Sequence, residues 1–82
     1  MKDNIIVTKS RGFAIRIIRL YQYLLSDKKE YILSKQLLRS GTSIGANVKE
    51  AIQGQSKKDF IAKKQISLKE ASETEYWLDL FT

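Results

Sequence analysis

Three glutamates near one end of the sequence are the first candidates for chemistry. Glu70, Glu73 and Glu75 lie close together, and carboxylates can act as general acids or bases or bind metal ions. The sequence contains no His and no Cys, so the commonest general base and the commonest transition-metal ligands are missing. Di-metal helical bundles use Glu-x-x-His pairs, and Glu70-Ala-Ser-Glu73 has no His to complete one. We therefore predict that the protein is not an enzyme and has no catalytic residue, cofactor or metal ion.

Lysine and arginine side chains suggest a second kind of chemistry, the binding of phosphate groups. The formal net charge is +6, and residues 1–26 hold five Lys or Arg against one acid. A protein of this charge can attract nucleic acid or an acidic partner, although many small basic proteins bind neither. The candidate nucleic-acid-binding residues are Lys9, Arg16, Arg19, Tyr23, Lys57, Lys58, Lys63 and Lys64.

Helices must position these side chains, because the apolar residues recur at helical spacing and Pro is absent. The first helix is predicted over about residues 10–25, with Ser10 as its N-cap. A short polar connector then favours an antiparallel neighbour. The second helix is predicted over about residues 30–53, and the third over about residues 57–82 with Ser56 as its N-cap.

The middle of the second helix contains an unusual run of small residues, from Arg39 to Asn47. Each Gly in a helix costs about 1 kcal/mol relative to Ala, so the run is either a break between two helices or a site of close helix approach. The apolar phase continues from Leu37 into Val48, which favours one helix. Gly41 and Gly45 match no phosphate-binding loop.

The third helix carries apolar residues on two opposite sides, one containing Leu68 and Leu78 and the other containing Ile66 and Trp77. One side is expected to face the core of the chain and the other a second subunit. Glutamates within these sides require partners or a position at an interface rim, and Arg39 is one candidate partner. The predicted helix-packing or interface residues are Arg39, Gly41, Ser43, Gly45, Asn47, Glu50, Ile66, Glu73, Glu75 and Trp77.

These patterns predict an all-α protein with a single domain over residues 1–82. The domain is small and has no disulfide to stabilise it, so self-association is expected to bury additional surface. The sequence contains no signal peptide and no apolar run long enough to cross a membrane, and we predict a cytoplasmic protein. The apolar pattern still continues at Thr82, and we expect a fourth helix to be lacking.

Three segments resemble the bacterial four-helix-bundle family, also called the intervening-sequence proteins of large-subunit (23S) ribosomal RNA genes. These segments are residues 37–51, residues 56–60 and residues 68–78, and the resemblance extends from about Asn4 to Phe81. The usual Ala-Glu-Gly at the end of the second helix reads Lys-Glu-Ala here. The family positions that match are Asn47, Glu50, Phe60, Leu68, Glu73 and Glu75.

The resemblance implies an up-and-down helical bundle, with three of four expected helices present, that assembles into a ring, with a pentamer favoured. It also implies a basic surface suited to nucleic acid, and related bundle proteins accompany the reverse transcriptases of diversity-generating retroelements. It implies no catalysis. Two functions remain open: an oligomer that binds RNA or DNA, alone or within a ribonucleoprotein, and a protein–protein adaptor that binds no nucleic acid.

Overall fold

The computed structural model of the protein describes residues 2–54 and 56–81, with side chains from Ile5 onward. Within these ranges the structure is all-α. The helices are α1 (Lys2–Ser26), α2 (Leu33–Ile52) and α3 (Lys57–Leu80). The predicted all-α class is therefore confirmed, and Thr82 lies outside the described residues.

The first helix begins much earlier than predicted, at Lys2. Ser10 is therefore not an N-cap: it lies inside α1, and its hydroxyl donates to the Val7 carbonyl at 3.1 Å. The reason is visible in the sequence, because Ile6 extends the spacing of the Phe13 side of the helix by one heptad. The capping preference of Ser10 was weaker than the continuing helical pattern.

The second helix starts slightly later than predicted, because Glu30 caps it from outside. Its carboxylate accepts hydrogen bonds from the backbone N–H groups of Leu33 at 2.9 Å and Ser34 at 3.0 Å. The chain turns just before this point through Lys29, which has a φ of 53°. The helix then continues without interruption through Gly41 and Gly45, as the apolar phase predicted.

The third helix begins as predicted. The Ser56 side chain accepts a hydrogen bond from the Asp59 backbone N–H at 3.1 Å, which satisfies one of the free donors of the first turn. At the other end, the Phe81 backbone N–H donates to the Leu78 carbonyl at 3.1 Å. The described part of the chain thus ends with a closed helical turn.

The central helix is α2, which packs against both α1 and α3, whereas no described Cα atom of α1 lies within 8 Å of one in α3. Contacts between α2 and α3 run in opposite directions along the chain, from Glu50 with Lys63 to Ser40 with Thr74. Gly41 and Gly45 likewise face Ile17 and Ser10 in reversed order. Each pair of contacting helices is therefore antiparallel.

The core is small. Ile17, Leu24 and Leu37 form its centre, and Leu37 is completely buried. The half-buried side chains around it are Phe13 and Leu20 of α1, Leu38 of α2, Trp77 and Leu78 of α3, and Phe81 directly after α3. Many other large apolar side chains are exposed.

Candidate functional site

The predicted basic residues of α1 lie on its exposed surface. Lys9, Arg16, Arg19 and Tyr23 are all exposed, and their spacing places them along one side of the helix. Residues 4–26 contain no acid that could neutralise them locally. The Tyr23 ring lies below the ammonium of Lys28, with 6.0 Å between Nζ and the ring centroid. This stripe therefore combines exposed cations with the absence of any acid from residues 4–26 of α1.

The lysines at the start of α3 form a second basic group in which one charge is compensated. Lys57, Lys58 and Lys64 are exposed. Lys63 instead forms an ion pair with Glu50, with 2.8 Å between Nζ and Oε1. The hydrogen bond to Glu50 and its negative charge raise the pKa of Lys63. We expect Lys63 to contribute least of these lysines to phosphate binding.

The beginnings of α1 and α3 lie at the same end of the molecule, because Ile6 and Lys64 line one common cleft. Lys9, one turn beyond Ile6, is therefore at the end that carries the α3 lysines. Arg19 and Tyr23 lie two to four turns further along α1, toward the opposite end. The structure thus places Lys9 at the same end of the molecule as the α3 lysines, and Arg19 and Tyr23 toward the other end.

The cleft between α1 and α3 lies over α2 and is almost entirely apolar. Its volume is about 270 Å³, and several of its apolar side chains are substantially exposed, Ile6 by 51%, Phe60 by 41% and Leu68 by 62%. The residues that line it are Ile6, Val48, Ala51, Ile52, Phe60, Lys64, Ser67 and Leu68. Lys64 is the charged member of this set.

Arg39 joins α2 to α3 on the opposite side of α2. Its guanidinium binds Glu70 at 3.1 Å and also contacts Glu73. Trp77 Nε1 donates to the same Glu73 oxygen at 2.9 Å, so that carboxylate has two partners. The sequence suggested Arg39 as a partner for a buried carboxylate but did not select Glu70. The available signal was the i, i+3 spacing of Glu70 and Glu73, which places both acids near one side of α3.

The two glycines of α2 mark its approach to α1. Gly41 is buried, and a Cβ atom built on it would lie only 2.8 Å from Ile17 Cγ1. A Cβ on Gly45 would lie 3.4 Å from the Ser10 carbonyl oxygen. The close approach therefore occurs within the chain, between α1 and α2.

Three further predicted interface residues, Asn47, Ile66 and Glu75, lie apart from one another in the structure. The Asn47 side chain donates to the Ser43 carbonyl at 2.8 Å, so its amide is used within α2. Ile66 is 40% exposed on the outer side of α3. Glu75, predicted to lie within an apolar side of α3, is exposed. The structure therefore does not bring these residues into one cluster.

Buried hydroxyl groups between α2 and α3 were not selected from the sequence. Thr74 Oγ1 lies 2.9 Å from Ser40 Oγ, and both side chains are almost completely buried. The Ser67 hydroxyl donates to the Ile44 carbonyl at 3.1 Å. Ser and Thr at these positions appear ordinary in the sequence, because only the rotation of the two helices shows which hydroxyl groups face each other.

Other chemical classes of site are not seen in residues 2–54 and 56–81. These residues contain no group of three or more His, Cys, Asp or Glu side chains placed to bind a metal ion. In the same ranges, none of the helices combines the length and apolar character needed to span a membrane.

Comparison with known proteins connects this arrangement to a family. The family model of the 23S rRNA-intervening sequence proteins matches residues 2–82. The chain belongs to this family. The comparison with curated protein sequences gave no match.

A solved structure is closely similar to this chain. It is a protein of unknown function from the S23 ribosomal protein family of Bacteroides thetaiotaomicron VPI-5482, determined at 1.70 Å resolution. The two sequences are 61% identical, and the TM-score is 0.95. The match covers 98% of this chain and 71% of the Bacteroides chain, which is therefore longer. The likeness includes the helices that carry both the basic surface and the cleft.

Proposed function

We propose that this chain is a non-enzymatic, self-associating helical protein whose basic surface binds RNA or DNA. The observation that supports binding most strongly is the exposed stripe on α1, where Lys9, Arg16 and Arg19 face solvent. With no acid between residues 4 and 26, phosphate groups would meet an uncompensated positive field. Such contacts act on the nucleic-acid backbone, so binding should be weakly dependent on sequence and strongly dependent on salt.

Self-association is supported by the exposed apolar side chains of the cleft. Phe60 and Leu68 would be half-solvated in a monomer, although burying such side chains stabilises a protein by about 1.5–3 kcal/mol each. We infer that the helices are part of an up-and-down four-helix arrangement whose fourth position lies opposite α2, over the cleft. Self-association would also multiply the basic surface and strengthen nucleic-acid binding through multivalency. Light scattering tests this part: a mass of 9.5 kDa at all concentrations would contradict it.

A titration of nucleic acid tests the binding part. Fluorescence anisotropy with a labelled single-stranded RNA and a duplex DNA would be measured between about 50 and 200 mM salt. The variant Arg16→Ala/Arg19→Ala should bind several-fold more weakly at low salt and reduce the slope of log K against log salt by about two. Because these side chains are exposed, the fold should be unchanged.

The matched control is Lys35→Ala/Lys69→Ala, which removes the same charge from exposed positions on α2 and α3. Its binding should remain close to that of the natural chain. No binding at about 50 mM salt would exclude the nucleic-acid function. Equal losses in the two variants would show that only net charge matters and that the α1 stripe is not the binding surface.

A protein–protein adaptor is the second candidate function. It is favoured by the apolar outer side of α3, where Ile66 is 40%, Tyr76 57% and Leu80 50% exposed. Recovery of one protein partner that survives nuclease treatment and is lost on Leu80→Asp would support the adaptor. Recovery that disappears with nuclease would support nucleic acid instead.

A further inference from the structure

The turn between α1 and α2 presents two tyrosine rings to solvent. Tyr23 lies in the last turn of α1 and is 45% exposed, and Tyr31, just before α2, is 53% exposed. A hydrogen bond of 2.9 Å from the Glu30 backbone N–H to the Leu24 carbonyl closes the turn between them. Each tyrosine is next to one residue of this bond, so both belong to the same end of the molecule. Tyr31 is a member of none of the predicted sites.

Hydrogen bonds fix the backbone on both sides of Tyr31. The Glu30 carboxylate accepts from the backbone N–H groups of Ile32 at 3.3 Å and Leu33 at 2.9 Å. The Ser34 hydroxyl donates to the Glu30 carbonyl at 2.7 Å. Tyr31 lies between these bonds, so its ring is exposed on a backbone that is already ordered. Such a ring loses little conformational freedom when a flat partner binds to it.

Two lysines lie within the same turn. Lys28 Nζ is 6.0 Å from the centroid of the Tyr23 ring, and Lys28 and Lys29 are both exposed. Among the described residues, neither lysine forms an ion pair. Lys29 has a φ of 53°, a left-handed conformation that residues with a Cβ seldom adopt and that is frequent at functional sites. Two ammonium groups are therefore available beside the rings.

The turn continues the basic stripe of α1. Arg19 lies one helical turn before Tyr23 on the same side of α1, and residues 16–30 hold four Lys or Arg against two acids. One of these acids, Glu30, lies at the beginning of α2, where backbone N–H groups and the helix dipole offset its charge. The two rings therefore lie at one end of a positive surface.

We propose that this turn binds single-stranded nucleic acid, with unpaired bases stacked on Tyr23 and Tyr31 and phosphates contacted by Lys28 and Lys29. The inference rests on the proposed nucleic-acid binding and names the kind of strand and the surface that selects it. Every base has an aromatic face, so stacking tolerates any sequence, whereas in a duplex neighbouring base pairs cover these faces. Contacts to phosphates alone would instead favour a duplex, because its charge density is higher.

An abasic strand separates stacking from phosphate contacts. Fluorescence anisotropy at about 50 mM salt would compare three labelled probes. These are a single strand of about 12 nucleotides, the same strand with abasic sites in place of its bases, and the corresponding duplex. The natural chain should bind the intact strand about five-fold or more tightly than the abasic strand, because only the intact strand can stack. It should also bind the intact strand more tightly than the duplex.

Replacement of the rings should remove this preference. Tyr23→Leu and Tyr31→Leu keep an apolar side chain without an aromatic face, and each should weaken binding of the intact strand about five-fold or more. Binding of the abasic strand and the salt dependence should not change. Tyr31→Phe keeps the ring and should retain most of the affinity that Tyr31→Leu loses. Tyr76→Leu is the matched control, because Tyr76 is 57% exposed but lies on the outer side of α3.

Replacement of the lysines should have the opposite signature. Lys28→Gln/Lys29→Gln should weaken binding of the intact and abasic strands alike. It should also reduce the slope of log K against log salt by about 1.4, because two phosphate contacts to a single strand are lost.

A photochemical crosslink identifies the contact directly. Iodouridine in the strand couples on irradiation to aromatic side chains stacked on it, and the expected products contain Tyr23 or Tyr31. Circular dichroism and Trp77 emission would confirm that each variant remains folded.

The outcomes separate this inference from the function on which it rests. No binding of any probe would overturn both. Equal affinities for the intact and abasic strands, or tighter binding of the duplex, would overturn the single-strand inference and leave phosphate binding standing. An equal loss in Tyr76→Leu, no loss in the Tyr23 and Tyr31 variants, or crosslinks to other residues alone would overturn the assignment to this turn. A ring-dependent preference for the intact strand together with a Tyr23 or Tyr31 crosslink would establish it.

Discussion

The two contacts made by α2 use different chemistry. Against α1, α2 presents glycine to a branched apolar side chain, with Gly41 directly below Ile17. Against α3, it presents a hydroxyl to a hydroxyl, with Ser40 Oγ 2.9 Å from Thr74 Oγ1. Both contacts allow close approach because α2 contributes a small residue to each, Gly41 to the first and Ser40 to the second. Only the second makes directional bonds, which have a preferred register and are costly to leave unsatisfied when buried.

The side chains around the two contacts differ in the same way, polar beside α3 and apolar beside α1. The α2–α3 contact is bordered by the Arg39 ion pairs with Glu70 and Glu73. The described ion pairs that join helices all involve α2 and α3. The α1–α2 contact instead depends on the buried apolar side chains of the core. Apolar burial therefore dominates the energy of the first contact, whereas polar matching makes the second specific. Variants on either side of α2 can test this distinction.

The largest effect is expected from Ile17→Ala. Ile17 is 3% exposed and lies in the centre of the core, so its truncation should lower the free energy of unfolding by about 2–5 kcal/mol. Urea unfolding followed by circular dichroism measures this loss. The neighbouring Ile18 is 39% exposed, and Ile18→Ala should change stability by no more than about 1 kcal/mol. Equal losses would show that the α1–α2 contact does not depend on apolar burial.

Overpacking should destabilise the same contact in the variant Gly41→Ala. The added Cβ would lie 2.8 Å from Ile17 Cγ1, and the resulting strain should exceed the gain in helix propensity, with a net loss of about 1–2 kcal/mol. Gly12→Ala is the matched control, because a Cβ there meets nothing within 4 Å and should stabilise α1 by about 0.5–1 kcal/mol.

A double-mutant cycle sharpens this prediction. In an Ile17→Ala background the space for the new methyl group is available, so Gly41→Ala should become neutral or stabilising. A loss that persists in this background would place the strain elsewhere in α2.

The hydroxyl contact predicts a smaller and strongly coupled effect. Thr74→Val retains the shape of the side chain but leaves the buried Ser40 hydroxyl without this partner, which should cost about 1–3 kcal/mol. Adding Ser40→Ala removes the hydroxyl that has lost this partner, so the double variant should be less destabilised than the two single losses combined. Additive losses in denaturant unfolding would argue that the two hydroxyl groups do not interact.

The smallest expected effect concerns Glu30, which caps the helix shared by both contacts. Hydrogen bonds from the backbone of Leu33, followed by those of Ser34 and Ile32, lower the pKa of the Glu30 carboxyl. The ionised Glu30 cap therefore stabilises the folded state fully above the usual pKa of a glutamate. This contribution is lost as pH falls through the lowered pKa of Glu30. Glu30→Gln should lower the melting temperature at neutral pH, and the difference from the natural chain should shrink in acid.

Asp27→Asn provides the comparison for this pH series. Its carboxylate accepts from the Ser26 hydroxyl at 2.8 Å and caps no backbone N–H group of α2 in the described structure. Its melting temperature should follow that of the natural chain more closely across the same pH range. A constant Glu30→Gln difference from neutral to acidic pH would contradict the proposed capping role.

The extent of prediction differs along the chain for local reasons. The start of α3 was predicted correctly because Ser56 and Asp59 form a capping signal within four residues. The start of α1 was predicted wrongly because Ser10 gave a similar signal inside a longer helix. Among the candidate sites, the exposure of the α1 stripe could be predicted, because helical spacing places its residues on the polar side of α1. The ion pair between Lys63 and Glu50 could not be predicted, because it depends on the alignment of α3 with α2.

The sequence by itself determined the all-α class, the continuity of α2 and the family resemblance, because periodicity and short motifs are local properties. Only the tertiary structure decided which acids meet Arg39, which hydroxyl groups face each other and where the apolar cleft opens. Arg39 and Glu73 are separated by 34 positions in the sequence, and their contact depends on how far each helix is rotated and shifted against the other. Many rotations satisfy the same apolar spacing, so the packing of side chains between α2 and α3 makes the choice.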